Sequence, residues 1–221
     1  MKKNGFTLAE VLVSISVIGV ISALTLPNLI TNISMAQVGP TLAKAVNTLS
    51  NANKAILKDY DCERLTETGL LDDVNSYIDE LANYTTLARY DSYNGYTYED
   101  IDSEVKDGAP VISNTGIVYI LSPIDNEFSE GKYSAQEDII TRIAIDTNGN
   151  KAPNSYGSDI FVFSLLDNGL LLPKGSSFGT DASDSKEAWS QNCPIGAIPE
   201  DPTYCAAHIF ENNLRVHYKI K

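Results

Sequence analysis

Histidine is almost missing from this chain, with two residues, His208 and His217, in 221. There is no H-E-x-x-H, no G-x-S-x-G elbow and no phosphate-cradling glycine loop, so the sequence offers no recognisable catalytic pattern and we expect none. His208 on a short helix and His217 on a strand read as structural or solvent-facing. Cations are also scarce: 16 Lys and Arg stand against 29 Asp and Glu, a net charge of -13. Such a surface repels nucleic acid phosphates, which excludes a nucleic-acid reader. Three cysteines, Cys62, Cys193 and Cys205, are too few for a disulfide scaffold. They suit one bridge and one leftover thiol in an exported domain. Charge itself is missing between Val11 and Ala43.

That charge-free run is what the chain has in place of a site. Phe6 to Ile30, FTLAEVLVSISVIGVISALTLPNLI, would be ~37 Å long as a helix at ~1.5 Å per residue, enough to cross a hydrocarbon core of ~30 Å. Lys2 and Lys3 precede it without a compensating acid, so residues 1–5 are predicted to stay cytoplasmic and the remainder to be exported. An ordinary secretory signal, with Ile21-Ser22-Ala23 as a small-residue cleavage site, and a plain anchor helix compete for this segment. Glu10 argues against both. A carboxylate within an apolar span costs roughly 2.5–3.5 kcal/mol near the bilayer centre, so it needs a partner and a task.

The stretch KKNGFTLAEVLVSISVIGVISALTLP resembles the leader and transmembrane start of type IV pilins and type II secretion pseudopilins. The resemblance implies cleavage between Gly5 and Phe6 by a prepilin peptidase, with methylation of the new amine on Phe6. It implies a role for Glu10 in assembly, where its carboxylate neutralises a terminal amine of the same or a neighbouring subunit. Pro27 matches a proline common in pilin helices, where it permits a kink or local melting. Further partners implied are other pilin-like subunits, an assembly platform protein and its ATPase, and the resemblance implies no required cofactor. The place implied is the bacterial cytoplasmic membrane, single-pass with the head exported, and then a periplasmic or surface filament.

Residues 1–5 are thus read as leader, 6–30 as the transmembrane and filament-core helix, 31–60 as an amphipathic stem helix, and 61–221 as an exported head. Leu42, Val46, Leu49, Ile56 and Leu57 have the spacing of one helical face. Gly39-Pro40 predicts a break in that stem. A second helix is predicted from Leu70 to Leu81. The tyrosines at 84, 90, 93, 96 and 98 sit among Asn, Asp, Gly and Ser, as in twisted loops and edge strands with half-buried rings. An adhesive surface is the other reading of them.

Gly116 to Leu121, Asp138 to Asp146 and Asp159 to Leu166 read as strands, and Asn168-Gly169 as a tight hairpin leading to Leu170–Leu172. Leu214 to Ile220 reads as a closing strand. The fold class expected is α+β, a long N-terminal helix packed on a small antiparallel sheet, and the pilin resemblance implies the same.

Asp146, Asn148 and Asn150 alternate around a turn glycine in DTNGNKAPNSYGSD, with Asp159 a further oxygen donor. The loop resembles one in pseudopilin-like proteins, some of which bind calcium there. Its glycines fall at the wrong positions for an EF-hand, and we favour a plain Asn-Gly turn closed by Asx bonds. Cys193 and Cys205 enclose a short proline-rich loop whose closure is worth ~3 kcal/mol in the chain-entropy model, and many pilins close a C-terminal loop in this way. Cys62 could be a buried thiol, could pair across subunits or could replace either partner in the bridge.

Overall fold

The computed structural model describes residues 7–90, 108–122, 139–176 and 189–219, with backbone only for 26–34. The chain divides into two compact units, Met1–Gln37 and Val38–Lys221. Helix α1, Leu8–Asp59, contributes to both.

In the first unit, the window Leu8–Thr25 has a mean hydropathy of 2.1 and none of it is buried. Three of its four hydroxyls turn back onto the helix: Ser14 donates to the Glu10 carbonyl, Ser16 to Leu12 and Thr25 to Ile21. Bonding to the carbonyl four residues back hides each polar group within the backbone ladder. What remains outward is a sleeve of Leu, Val and Ile.

In the second unit, α1 places Leu42, Leu49, Ile56 and their neighbours at zero to a few per cent exposure against the sheet. The helix does not break at Gly39 and Pro40, contrary to the sequence expectation, and its assignment is continuous through Pro27 as well. Gly39 has a different purpose. A Cβ there would lie 2.0 Å from the Leu214 carbonyl oxygen, so glycine is what lets the C-terminal tail pass over the stem.

Beyond α1 the chain makes two 3-10 turns, Leu65–Thr68 and Leu70–Asp72, before α2, Val74–Tyr84. The predicted helix therefore starts later and ends later than Leu70–Leu81. The Asp73 carboxylate accepts the Asn75 N–H and so caps α2 at its first turn.

Among the described residues six strands follow: β1 Ala88–Arg89, β2 Ala109–Ile112, β3 Val118–Leu121, β4 Ile139–Asp146, β5 Ile160–Leu166 and β6 Leu171–Pro173. They pair in sequence order, every pair antiparallel. This α+β fold with a long N-terminal helix agrees with the fold class read from the sequence. Tyr119, Leu121, Ile143, Ile145, Phe161 and Phe163 face the stem cluster. Val118, Ile120, Ala144, Ile160 and Val162 form a second buried cluster on the other face. Burial on both faces explains why β4 alternates so poorly in sequence: strands covered twice read as continuous apolar runs.

The closing strand expected over Leu214 to Ile220 does not form in its described part, residues 214–219. Helix α3, Cys205–Glu211, ends in two residues with positive φ, Asn213 at 55° and Leu214 at 60°. That turn sends the tail to the disulfide loop, where the Gly196 N–H donates to the His217 carbonyl and the Lys219 N–H to that of Ala197. Tyr218 Oη donates to the Gly157 carbonyl at 2.6 Å. The sequence does not show the edge strand β1 or its neighbour β2, because β1 has two residues and Pro110 interrupts the β2 pattern. Tyr93, Tyr96 and Tyr98 lie outside the described residues; Tyr84 ends α2, and Tyr90 packs beside the second cluster.

Candidate functional site: the helix start and the stem

Helix α1 begins on a reciprocal cap. The Thr7 N–H and hydroxyl both donate to Glu10 Oε2 at 2.8 Å, and the Glu10 N–H donates to Thr7 Oγ1 at 3.3 Å. Thr-x-x-Glu of this kind is a capping box, satisfying two of the four N–H groups that a helix start leaves open. Glu10 thus holds the first turn closed one residue beyond the Gly5-Phe6 bond, and its carboxylate stays exposed. Gly5 and Phe6 themselves lie outside the described residues, as does the side chain of Pro27.

At the other end of the stem, sequence reading missed Asn53, which is fully buried. Its Nδ2 donates to the Gly169 carbonyl at 3.1 Å and its Oδ1 accepts from Tyr77 Oη at 2.7 Å. One amide therefore ties the stem to the β5–β6 hairpin and to α2. Gly169, at φ 81°, approaches so closely that a Cβ would lie 2.8 Å from that of Asn53. A lone Asn on the apolar side of the helix was the available signal. Burial pushes the Tyr77 hydroxyl above its ordinary range, outweighing the bond to Asn53, which acts in the opposite direction.

Cys193 and Cys205 are disulfide-bonded, and Cys62 is a half-buried free thiol. His208 lies fully buried beside the bridge, with Nδ1 2.8 Å from the Cys193 carbonyl oxygen. The rings of Trp189 and Tyr218 meet it edge-on at 5.3 and 5.1 Å. Lys174, also buried, donates to Thr203 Oγ1 at 2.8 Å, stands 3.8 Å from Asp201 and covers the Tyr204 ring. These contacts fasten the disulfide loop to the end of β6.

The Asp146–Asp159 loop is closed by its own donors. Asp146 Oδ1 accepts the N–H groups of Asn148 and Gly149 at 2.9 and 2.8 Å. Asp159 accepts the N–H groups of Asn154 and Ser155 at 2.8 Å and the Asn148 amide at 3.2 Å. Asn150 is exposed and donates to Tyr90 Oη. Only Asn148 keeps a buried oxygen, Oδ1, without a partner. Calcium requires six to eight oxygens turned towards one point. Here the carboxylates are turned towards N–H groups, so the residues do not fit the ion. Among the described residues no group of three His, Cys, Asp or Glu side chains is placed to hold a metal.

No curated protein and no solved structure matches the chain. Residues 1–26 match the family described as prokaryotic N-terminal methylation motif. With the capped apolar helix that these residues include, the chain therefore carries the prepilin leader signature of type IV pilins and pseudopilins.

Proposed function

We propose that this protein is a structural filament subunit, trimmed at Gly5-Phe6 by a prepilin peptidase and assembled through its apolar N-terminal helix. The observation that carries the reading is the division of labour along α1. Leu8–Thr25 is apolar and unburied in the single chain, whereas the helix from Val38 onward is the spine of the head. An apolar sleeve of that kind is stable in lipid or against copies of itself, and not in water. The subunit waits in the cytoplasmic membrane as a single-pass protein with its head exported. An assembly platform protein and its ATPase then draw it into the filament, and this chain needs no nucleotide site of its own.

Of the two machines that use such subunits, we favour a secretion-type filament on the loop between β4 and β5. The disulfide-closed loop at Cys193–Cys205 favours the second reading, a surface pilus for adhesion, motility or DNA uptake. Neither reading needs calcium, since the loop's carboxylates are already satisfied.

The deciding experiment is the mass and N-terminal sequence of the mature protein from native membranes. A chain starting at methylated Phe6 supports the filament reading, and one starting near Leu24 or still bearing Met1 rejects it. Deleting the chain then separates the machines: loss of secreted proteins marks one, and loss of surface filaments the other.

A further inference from the structure

The stem's outer face is basic in an acidic protein. From Val38 to Lys58 the sequence carries Lys44, Lys54 and Lys58 and no carboxylate. At 100° per residue the three fall within an arc of about 80°, opposite the buried face, and span about 21 Å of the helix. All three are exposed, and none of their ammonium groups has an ion-pair or hydrogen-bond partner among the described residues. Beside Lys44 a groove of ≈ 270 Å³ opens, lined further by Thr48, Thr85, Ser113, Asn114 and Thr115.

Where the stem ends, the sign reverses. Residues 59–80 hold eight carboxylates and a single cation, Arg64. Several of these acids serve the head: Asp73 caps α2, Glu67 accepts the Glu63 and Arg64 N–H groups, Asp79 pairs with Arg89, and Asp59 accepts from Tyr84. Asp61, Glu63 and Asp72 are exposed and have no such task. The chain leaves α1 at Asp61, where φ is 52°, and no ion pair forms between these acids and the stem lysines of the same copy.

We infer that the Lys44, Lys54 and Lys58 stripe docks against the Asp61–Asp72 surface of a second copy of this chain, displaced along the stem. Two different patches that complement each other form a heterologous contact. Such a contact does not close on itself when the copies are also translated, and it propagates as a filament. Complementary charge sets partner register and suppresses wrong alignments, because a slip brings lysines to lysines in a chain that is otherwise strongly acidic. This inference rests on the filament reading and gives it a contact outside the apolar helix.

The test uses the full-length chain in its native host. Lys54→Glu with Lys58→Glu is compared with Glu63→Lys with Asp72→Lys, and with all four together. Each pair of reversals is expected to lower the filament recovered by shearing about tenfold, and the quadruple variant to restore it. Trimming at Phe6 and protease resistance of the head report that each variant is processed and folded. Wild-type filaments should also loosen as salt rises past ~0.1 M, where the screening length is ~10 Å. Normal filaments from either pair alone overturn the inference and leave the filament reading intact. Loss that the quadruple variant does not restore also overturns it, since the stripe would then face something other than a second copy. A wild-type chain that is neither trimmed nor found in filaments removes both readings.

Discussion

Gly39 sits beneath the backbone carbonyl of Leu214, so close that a Cβ on residue 39 would lie 2.0 Å from that oxygen and 2.9 Å from the Leu214 Cβ. Gly39→Ala sets two effects against each other. Alanine gains about 1 kcal/mol over glycine in a helix interior. Forcing a methyl into backbone costs about 1–3 kcal/mol or more, and neither partner here is the free end of a side chain. The expected result is a lower urea midpoint for Gly39→Ala than for wild type. A higher midpoint would mean that the tail does not rest on the stem.

Asn53 is the head's central polar tie. Asn53→Ala leaves the Gly169 carbonyl and the Tyr77 hydroxyl unpaired in the core, and removes the atoms that separated them. Unsatisfied buried groups cost about 1–3 kcal/mol each, so a loss of about 3 kcal/mol is expected from denaturant unfolding. Tyr77→Phe should cost less, because it leaves Asn53 its bond to Gly169.

Glu10 caps the first turn of α1, and on the filament reading it also acts in assembly, two roles that mutation can separate. Glu10→Ala removes the carboxylate that accepts the Thr7 N–H, fraying a first turn worth about 1 kcal/mol, while the apolar run that follows is unchanged. Membrane insertion and trimming should persist and entry into filaments should fail. Sheared-filament yield against the membrane pool of trimmed subunit reads both. Normal filaments would leave Glu10 as a helix cap alone.

His208 should give the head an acid-sensitive stability. Burial lowers its pKa below the ordinary 6.5, outweighing the Cys193 carbonyl, which favours the charged form; nearby His217 lowers it further. The folded state then binds this proton less well than the unfolded state. Stability is fully present above about pH 6.5 and is lost as pH falls from there towards the lower folded value. The urea midpoint of wild type should decline over that interval more steeply than that of His208→Phe. Equal slopes would remove His208 from the acid response.

Calcium should not stabilise the head. Asp146 and Asp159 are spent on N–H groups, and an ion would have to displace those bonds before binding. Millimolar calcium and excess chelator are expected to give the same melting temperature. Separation of the two curves by several degrees would show that the loop rearranges around the ion.

Sequence alone determined the features that depend on neighbours in the chain. The apolar run from Phe6, Glu10 and the leader motif with its Gly5 are local. The stem's apolar face, β3 to β5 and the Asn168-Gly169 turn follow from periods and turn chemistry that each segment carries by itself. Thr7 and Glu10 have the spacing of a capping box, a signal the sequence carries by itself.

Tertiary structure decided whatever depended on distant backbone. Gly39 read as a helix breaker because glycine is permissive, and only the arrival of Leu214 shows that its lack of a side chain is what matters. Leu214 to Ile220 alternated like a strand, yet the positive φ of Asn213 and Leu214 turned it to the disulfide loop. Asn53 was one polar residue among many until Gly169 and Tyr77 met it from 116 and 24 residues away. A local pattern specifies which conformations are cheap, but which group fills a given space is fixed only when elements far apart in sequence compete to fill it.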